Sequence, residues 1–233
     1  MAIMKTKKFN KYIFEFLSIF LAVILAFALN NWNQNRKDRF AENKILSEIN
    51  NGLTRDLKDI KENVSGHKMG LKAVNYFTKA IANKPVSKDS LIIYYFSLTR
   101  DFISIQNKSG YETLKSKGLE LIQNDSLRTE IISIYEYDYN TLRKLEENYY
   151  ELQFHESYFK EINYTLSKNF EFNQAKQITG ITIPLEIEND KEKLILTYLL
   201  QIQSNRNFIL QYYDQVENKI KELKLKIENE LKR

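Results

Sequence analysis

The sequence predicts an all-α protein: an N-terminal transmembrane helix continuing into a long-helix antiparallel coiled-coil stalk and a helical bundle. Three observations carry this. Among 233 residues there are only six Gly and two Pro, so few positions interrupt a helix. Apolar residues recur at steps of three and four through two long stretches, the spacing of one helix face. Ile13 to Trp32, IFEFLSIFLAVILAFALNNW, is apolar on every face over most of its length, which a soluble helix rarely needs. The expected organisation is a basic segment over 1–12, a transmembrane helix over 13–33 and an α-helical extramembrane domain over 34–233.

The anchor comes first. Its apolar run of about 17 residues covers roughly 26 Å at the helical rise, close to a bilayer core of about 30 Å. Lys5, Lys7, Lys8 and Lys11 precede it, and Tyr12 and Trp32 stand at its edges, where interfaces select aromatic rings and lysines can snorkel. A signal peptide shares the basic start and the A-x-A spacing of Ala26 and Ala28. Glu15 inside the run, the length of the run and the polar helix that follows without a break argue for a retained anchor. Glu15 has two readings: an interfacial carboxylate suited to the helix N-terminus, or one of a ring of carboxylates in an oligomer. Glu15, Asn30, Asn31 and Trp32 are therefore the candidate membrane or oligomer contacts. Basic residues stand on both sides of the run, but Lys11 nearly abuts it while Arg36 lies further off. This places the N-terminus in the cytoplasm and the body in the periplasm, on a bacterial inner membrane crossed once.

The first body helix is expected to leave the membrane without a turn. Leu46, Ile49, Leu53, Leu57, Ile60 and Val64 form a stripe of coiled-coil type. Ser65-Gly66 suggests a kink, and Leu71, Val74, Phe77 and Ile81 resume with shifted phase before Asn83-Lys84-Pro85 ends the helix. A second helix fits Asp89 to about Phe102. A short third one is punctuated by a capping box of Ser109 with Glu112 and by Gly118 at its end. Asn124 or Asp125 then caps a long helix to about Lys168. Phe170 to Glu188 breaks the pattern; its β-branched, alternating Ile178 to Ile183 reads as an extended segment or hairpin and a candidate contact loop. The last helix begins after Asn189 with Glu192 as capping partner. Ile209, Tyr213, Val216, Ile220, Leu223, Ile227 and Leu231 make about three heptads, to be paired antiparallel with the stripe from Leu46 to Val64. Self-pairing of either stripe in a parallel homo-oligomer is the alternative.

Two short motifs resemble a known family. The first is Asn30-Asn31-Trp32-Asn33, reading LNNWNQ from Leu29, behind a basic start and a Glu that opens the apolar helix. The second is Tyr111-Glu112-Thr113-Leu114-Lys115-Ser116, with Lys117 standing before Gly118. Together they resemble an uncharacterised family of small membrane-anchored proteins in Bacteroidota, which read INNWNE and a YETLKSSG-type segment there. The resemblance covers most of the chain. It implies the anchored helical layout and no activity.

Composition narrows function. Hydrophobic residues at 43% and charged residues at 28% suit a folded domain. The net charge of +5 sits beside the anchor and among interspersed acids near the C-terminus, as on solvated helix faces, so no nucleic-acid partner is expected. No Cys is present, which excludes disulfides and thiol chemistry. His67 and His155 lie outside any zinc motif, and no phosphate loop, dinucleotide fingerprint or nucleophile elbow occurs. No cofactor and no catalysis are expected. Tyrosines 135, 137, 139, 149, 150, 158 and 164 fill either the core or a partner-binding face; Tyr135, Tyr139, Tyr149 and Tyr150 are the partner-binding candidates. The expected function is a single-pass, membrane-anchored helical scaffold or sensor without catalytic activity. Its expected partners are the lipid bilayer and a membrane or envelope protein, or further copies of itself as a homo-oligomer. The alternative is a homo-oligomeric channel, or a subunit of an ion-coupled complex, that uses Glu15.

Overall fold

A computed structural model describes the backbone of residues 2–232 and the side chains of residues 13–232. The flanking Lys5, Lys7, Lys8, Lys11 and Tyr12, and Arg233, lie outside the described side chains. The chain is predominantly helical, built on two long helices. The first, α1, runs unbroken for 80 residues, Ala2–Ile81, about 120 Å at the helical rise. The kink expected at Ser65-Gly66 does not form. The buried face of α1 continues through Leu46, Ile49, Leu53, Asp56, Ile60, Asn63, His67, Val74, Phe77 and Ile81, with Gly70 also in step and buried. The stripe looked broken only because polar residues and a glycine hold positions that stay in phase. Leu57 and Val64 flank it, packed against the core but only partly buried.

The other long helix closes the chain, Asn189–Glu230, and buries Ile195, Leu199, Ile202, Arg206, Ile209, Tyr213, Val216, Ile220, Leu223 and Ile227. Every step there is four or three residues, which keeps one face on its neighbour. The capping box expected from Asn189 and Glu192 is absent: Glu188 precedes the helix, and no side chain caps it. The two helices pack antiparallel. Lys224 Nζ donates to Asn50 Oδ1 at 2.8 Å and to Thr54 Oγ1 at 2.7 Å, while Arg206, further back, reaches His67 at 3.0 Å. Leu53 and Ile220 are both fully buried. Truncating either to Ala is expected to cost about 3 kcal/mol, from lost burial and an unfilled cavity. The check is urea unfolding of the full chain in mild detergent. A cost below about 1 kcal/mol would take these residues out of a packed seam.

Between the long helices the chain builds a bundle against α1. A single 3₁₀ turn, Lys88–Ser90, leads into α2, Leu91–Leu98. Helix α2 stops one turn before Phe102, and residues 99–108 then cross α1 without regular structure. Helix α3, Ser109–Lys117, lacks the expected capping box. Lys108 precedes it, and Ser109 Oγ donates to Asn107 Oδ1 at 3.0 Å instead. Gly118 ends α3 at φ 101°, a left-handed value that favours glycine. Asn124 does cap α4, Asp125–Ile132, its Oδ1 accepting from Leu127 N at 3.2 Å.

The single helix expected to reach Lys168 is instead three. A π-helical turn, Ser133–Asp138, joins α4 to α5, Tyr139–Asn148. A 3₁₀ turn, Tyr150–Leu152, and a second π-helical turn, His155–Phe159, precede α6, Lys160–Ser167. The Gln153 side chain donates to the carbonyls of Glu146 and Glu147, satisfying the end of α5 where helical carbonyls lose their partners. The extended stretch is a hairpin of β1, Phe170–Phe172, and β2, Ile178–Ile181, antiparallel with an irregularity between Glu171 and Phe172. It packs beside α2, where Lys88 pairs with Glu171 at 2.9 Å. The last long helix is then α7.

Candidate functional site

The most unusual surface is on α1. Every residue from Ile13 to Trp32 is exposed, including Phe14 at 73%, Phe16 at 66%, Phe27 at 65% and Leu29 at 62%. This is one helix long and apolar enough to cross a membrane, with none of its apolar window buried. Soluble domains rarely expose a contiguous apolar patch of this kind. Ser18 Oγ donates to Phe14 O at 2.8 Å, so the one hydroxyl within Phe16–Leu29 is satisfied by its own helix. Glu15, Asn30 and Asn31 are exposed with the rest. Trp32 is 63% exposed, and the Arg36 guanidinium lies 5.5 Å from its ring centre.

The tyrosine candidates separate. Tyr135 and Tyr139 are core residues, at 2% and 0% exposed, and are corrected from partner contacts to packing. Tyr135 stacks on Tyr111 with ring centres 4.5 Å apart and meets Tyr139 edge-on at 5.3 Å. Four residues apart, these two share the buried face with Ile131, Ile134 and Leu142, while Tyr137, between them, points out at 65% exposed. Tyr149 and Tyr150, at the break after α5, are exposed. Tyr150 borders an open cleft of about 380 Å³ with Tyr158, Tyr198 and Asn205.

Sequence reasoning missed two buried polar clusters. In the first, three carboxylates hold the irregular crossing of residues 99–108. Asp56 Oδ1 accepts from Asn107 N at 2.7 Å, Asp59 Oδ2 from Ile105 N at 2.9 Å, and Glu146 Oε2 from Ser104 N at 3.0 Å. These backbone groups have no helix or sheet to pair with, so side chains supply the acceptors. Tyr139 donates to Asp56 at 2.6 Å, and Tyr213 donates to Glu146. Burial raises the Asp56 carboxyl to about 6 against the opposing hydrogen bonds of Tyr139 and Asn107. It also raises Glu146 and Asp59.

In the second cluster Arg206 is wholly buried. Its Nη2 donates to the carbonyls of Leu98 and Arg100 at 3.0 Å each and of Ser97 at 3.3 Å. Those acceptors include the last turn of α2, where free carbonyls and the negative dipole end favour a cation. Its Nη1 reaches His67 Nδ1 at 3.0 Å. Because arginine only donates, Nδ1 is the accepting nitrogen and the neutral ring carries its proton on Nε2. The guanidinium lies 4.0 Å from the Phe154 ring centre and 6.0 Å from that of Phe102. Two glycines make the room. A Cβ at Gly70 would lie 2.3 Å from Arg206 Nε, and one at Gly66 would lie 2.1 Å from the Phe102 ring. Burial, and then the charge of Arg206, push His67 down to about 3. Burial lowers Arg206 to about 10 despite nearby Asp101.

Both clusters clamp α1, α2, α5 and α7 around one crossing segment. Most of their donors and acceptors are engaged with the protein itself, an arrangement suited to rigidity; His67 Nε2 and Arg206 Nε are buried without a hydrogen-bond partner. Among the described residues no group of three or more His, Asp or Glu could hold a metal ion. Comparisons with protein-family models, with curated proteins and with solved structures found no match to this chain.

Proposed function

We propose that the chain is a single-pass, membrane-anchored helical interaction protein. Residues 13–33 span the bilayer, and α1 carries the rest of the molecule away from it as a stalk of coiled-coil type with a bundle. The observation behind this reading is the uncovered apolar length of α1 beside a body that buries its own apolar stripes. The body then acts as a rigid scaffold or sensor for an envelope protein, with the exposed Tyr149 and Tyr150 as contacts, and has no catalytic role. The same layout is what the resemblance to the Bacteroidota family implies, and membership of that family is part of the proposal.

The full chain is expected to stay in the membrane fraction through alkaline carbonate extraction. Replacing Leu21 and Leu25 by Arg should release it, because each arginine near mid-span costs about 3 kcal/mol of insertion. A wild-type chain recovered as soluble protein would refute the anchor. The proposed orientation keeps the body outside the cytoplasm, so a reporter active only in the cytoplasm and fused after Arg233 should be silent; a working reporter reverses the topology. A competing reading has Glu15 carboxylates lining an ion path in a homo-oligomer, motivated by a carboxylate exposed within the apolar band. Unchanged ion flux in Glu15→Gln would remove it.

A further inference from the structure

The stretch of α1 between the apolar band and the body has its charges sorted by face. At roughly 100° per residue, Trp32, Arg36, Phe40 and Lys44 follow each other at steps of four residues and drift slowly around one side of the helix. Lys37 flanks them, within about one turn of Arg36. All five are exposed, Phe40 at 75%. Arg39 belongs to the body side, lining a cleft with Asp38, Glu42, Gln123 and Glu230. The two acids of the same stretch lie on the other side. Asp38 accepts from Gln34 at 2.8 Å. Glu42 is buried and accepts from Gln123 N at 2.9 Å. That side is the one the body covers, beginning with Glu42, Ile45, Leu46 and Ile49. The basic, aromatic side therefore faces away from the body.

Distance along the axis matters as much as face. Trp32 stands about 4–5 Å beyond Leu29, and Arg36 and Lys37 about 10 Å and 12 Å beyond it. The headgroup layer is about 5–8 Å thick on each side. Helical side chains tilt towards the N-terminus, which in α1 is the direction of the apolar band. The Arg36 guanidinium shows this tilt, reaching back to the Trp32 ring at 5.5 Å. Long basic side chains starting about 10–12 Å out and leaning back come within reach of lipid phosphates. A spanning helix commonly tilts by about 20°, and leaning towards this face brings Phe40 and Lys44 nearer the surface while lifting the body away.

We propose that Trp32, Arg36 and Lys37, with Phe40 and Lys44 further along the same side, form a docking face for anionic lipid headgroups, which sets the direction in which α1 tilts. The inference rests on the membrane-anchored reading and names the lipid class that reading leaves open. Charge complementarity selects the occupant: three cations and two exposed rings on one face, with the acids turned to the other side and engaged there.

Trp32 is the only tryptophan, so its fluorescence reports this face directly. The full chain would be reconstituted in vesicles of zwitterionic and anionic phospholipid, with bromine placed on one lipid class at a time at matched mole fraction. Quenching of Trp32 should be at least about twofold stronger with the brominated anionic lipid, since each basic residue near the surface adds attraction. The double variant Arg36→Gln, Lys37→Gln should quench equally with both. In Trp32→Phe with Phe40→Trp, the new reporter should also be quenched more by the anionic lipid. Equal quenching by both lipids in the wild-type chain would overturn the anionic docking face and leave the anchor standing. Absence of quenching by either lipid would overturn the anchor itself, and the docking face with it.

Discussion

Replacing Arg206 with Ala is expected to destabilise the body by about 4–5 kcal/mol, more than any single apolar truncation in the seam. The side chain is fully buried and donates to three carbonyls and one imidazole. Its removal strands the carbonyls of Ser97, Leu98 and Arg100 away from water, at about 1–3 kcal/mol for each group left unmade. It also opens a cavity beneath Phe154. A lysine is no rescue, because a point charge on a flexible stem cannot reproduce a fork that bonds on two sides. Gly70 tests the mechanism. In the wild type, Gly70→Ala drives a methyl to 2.3 Å from Arg206 Nε, and the hydrogen-bonded guanidinium has little freedom to retreat, so a cost of about 2 kcal/mol is expected from overpacking. In the Arg206→Ala background the same change meets open space and gains helix propensity of up to about 1 kcal/mol. The two substitutions should therefore couple strongly in a double-mutant cycle, measured by urea unfolding of the full chain in mild detergent. Equal effects of Gly70→Ala in both backgrounds would mean that the glycine does not make room for the arginine.

The parts of this fold that periodicity encodes were legible, and the parts that long-range contacts encode were not. The stripe on α7 from Ile209 to Ile227 and the apolar band on α1 are local patterns that survive into the structure. Asn124 caps α4 because an Asn side chain needs only its own backbone three residues on. The capping boxes at Ser109 and Asn189 failed for the converse reason. Asn107 Oδ1 competes for the Ser109 hydroxyl, and α7 begins one residue earlier than expected, at Asn189, which puts Glu188 in the cap position. The three-way division of the expected long helix follows from π-helical turns and from Gln153 closing the end of α5. None of these has a clear signature in spacing. Arg206 left a signal that was overlooked. It lies in step between Ile202 and Ile209 on the α7 stripe, just as Asp56, Asn63, His67 and Gly70 lie in step on α1. A charged residue in phase with an apolar stripe predicts a buried partner on the facing helix, and an in-phase glycine predicts the space it occupies. The tyrosine assignment went astray because the rings were grouped by type: Tyr135 and Tyr139 continue the stripe of Leu127, Ile131, Ile134 and Leu142 at steps of three and four, which places them inside.

The pH dependence of stability should split into two opposing parts, each isolated by one substitution. His67 is held down to about 3, against an ordinary 6.5, by burial and then by the Arg206 charge. The other groups packed near it are Tyr213 on α7 and the aromatic rings of Phe102 and Phe154. With a depressed folded value, the unfolded chain takes the proton first on acidification. The stabilisation is then complete above about 6.5 and is lost as pH falls towards 3. Between pH 7 and pH 4 this amounts to about 3 kcal/mol. Asp56 acts in reverse. Its carboxyl is raised to about 6 by burial, opposed by Tyr139 and Asn107. The folded state therefore takes the proton first, and stability rises as pH falls from about 6 towards 3.8, by up to about 3 kcal/mol. Glu146, Asp59 and Asp101 are raised too and push the same way. The wild-type profile sums these opposing contributions, so the informative quantity is the difference from a variant that cannot titrate. His67→Gln keeps an acceptor for Arg206 and removes the proton. Relative to wild type it should gain about 3 kcal/mol on going from pH 7 to pH 4. Asp56→Asn should lose ground over the same interval. Urea midpoints at pH 7, 5.5 and 4 check both, and a wild-type-to-His67→Gln difference that is the same at all three would show that the imidazole is not held neutral against Arg206.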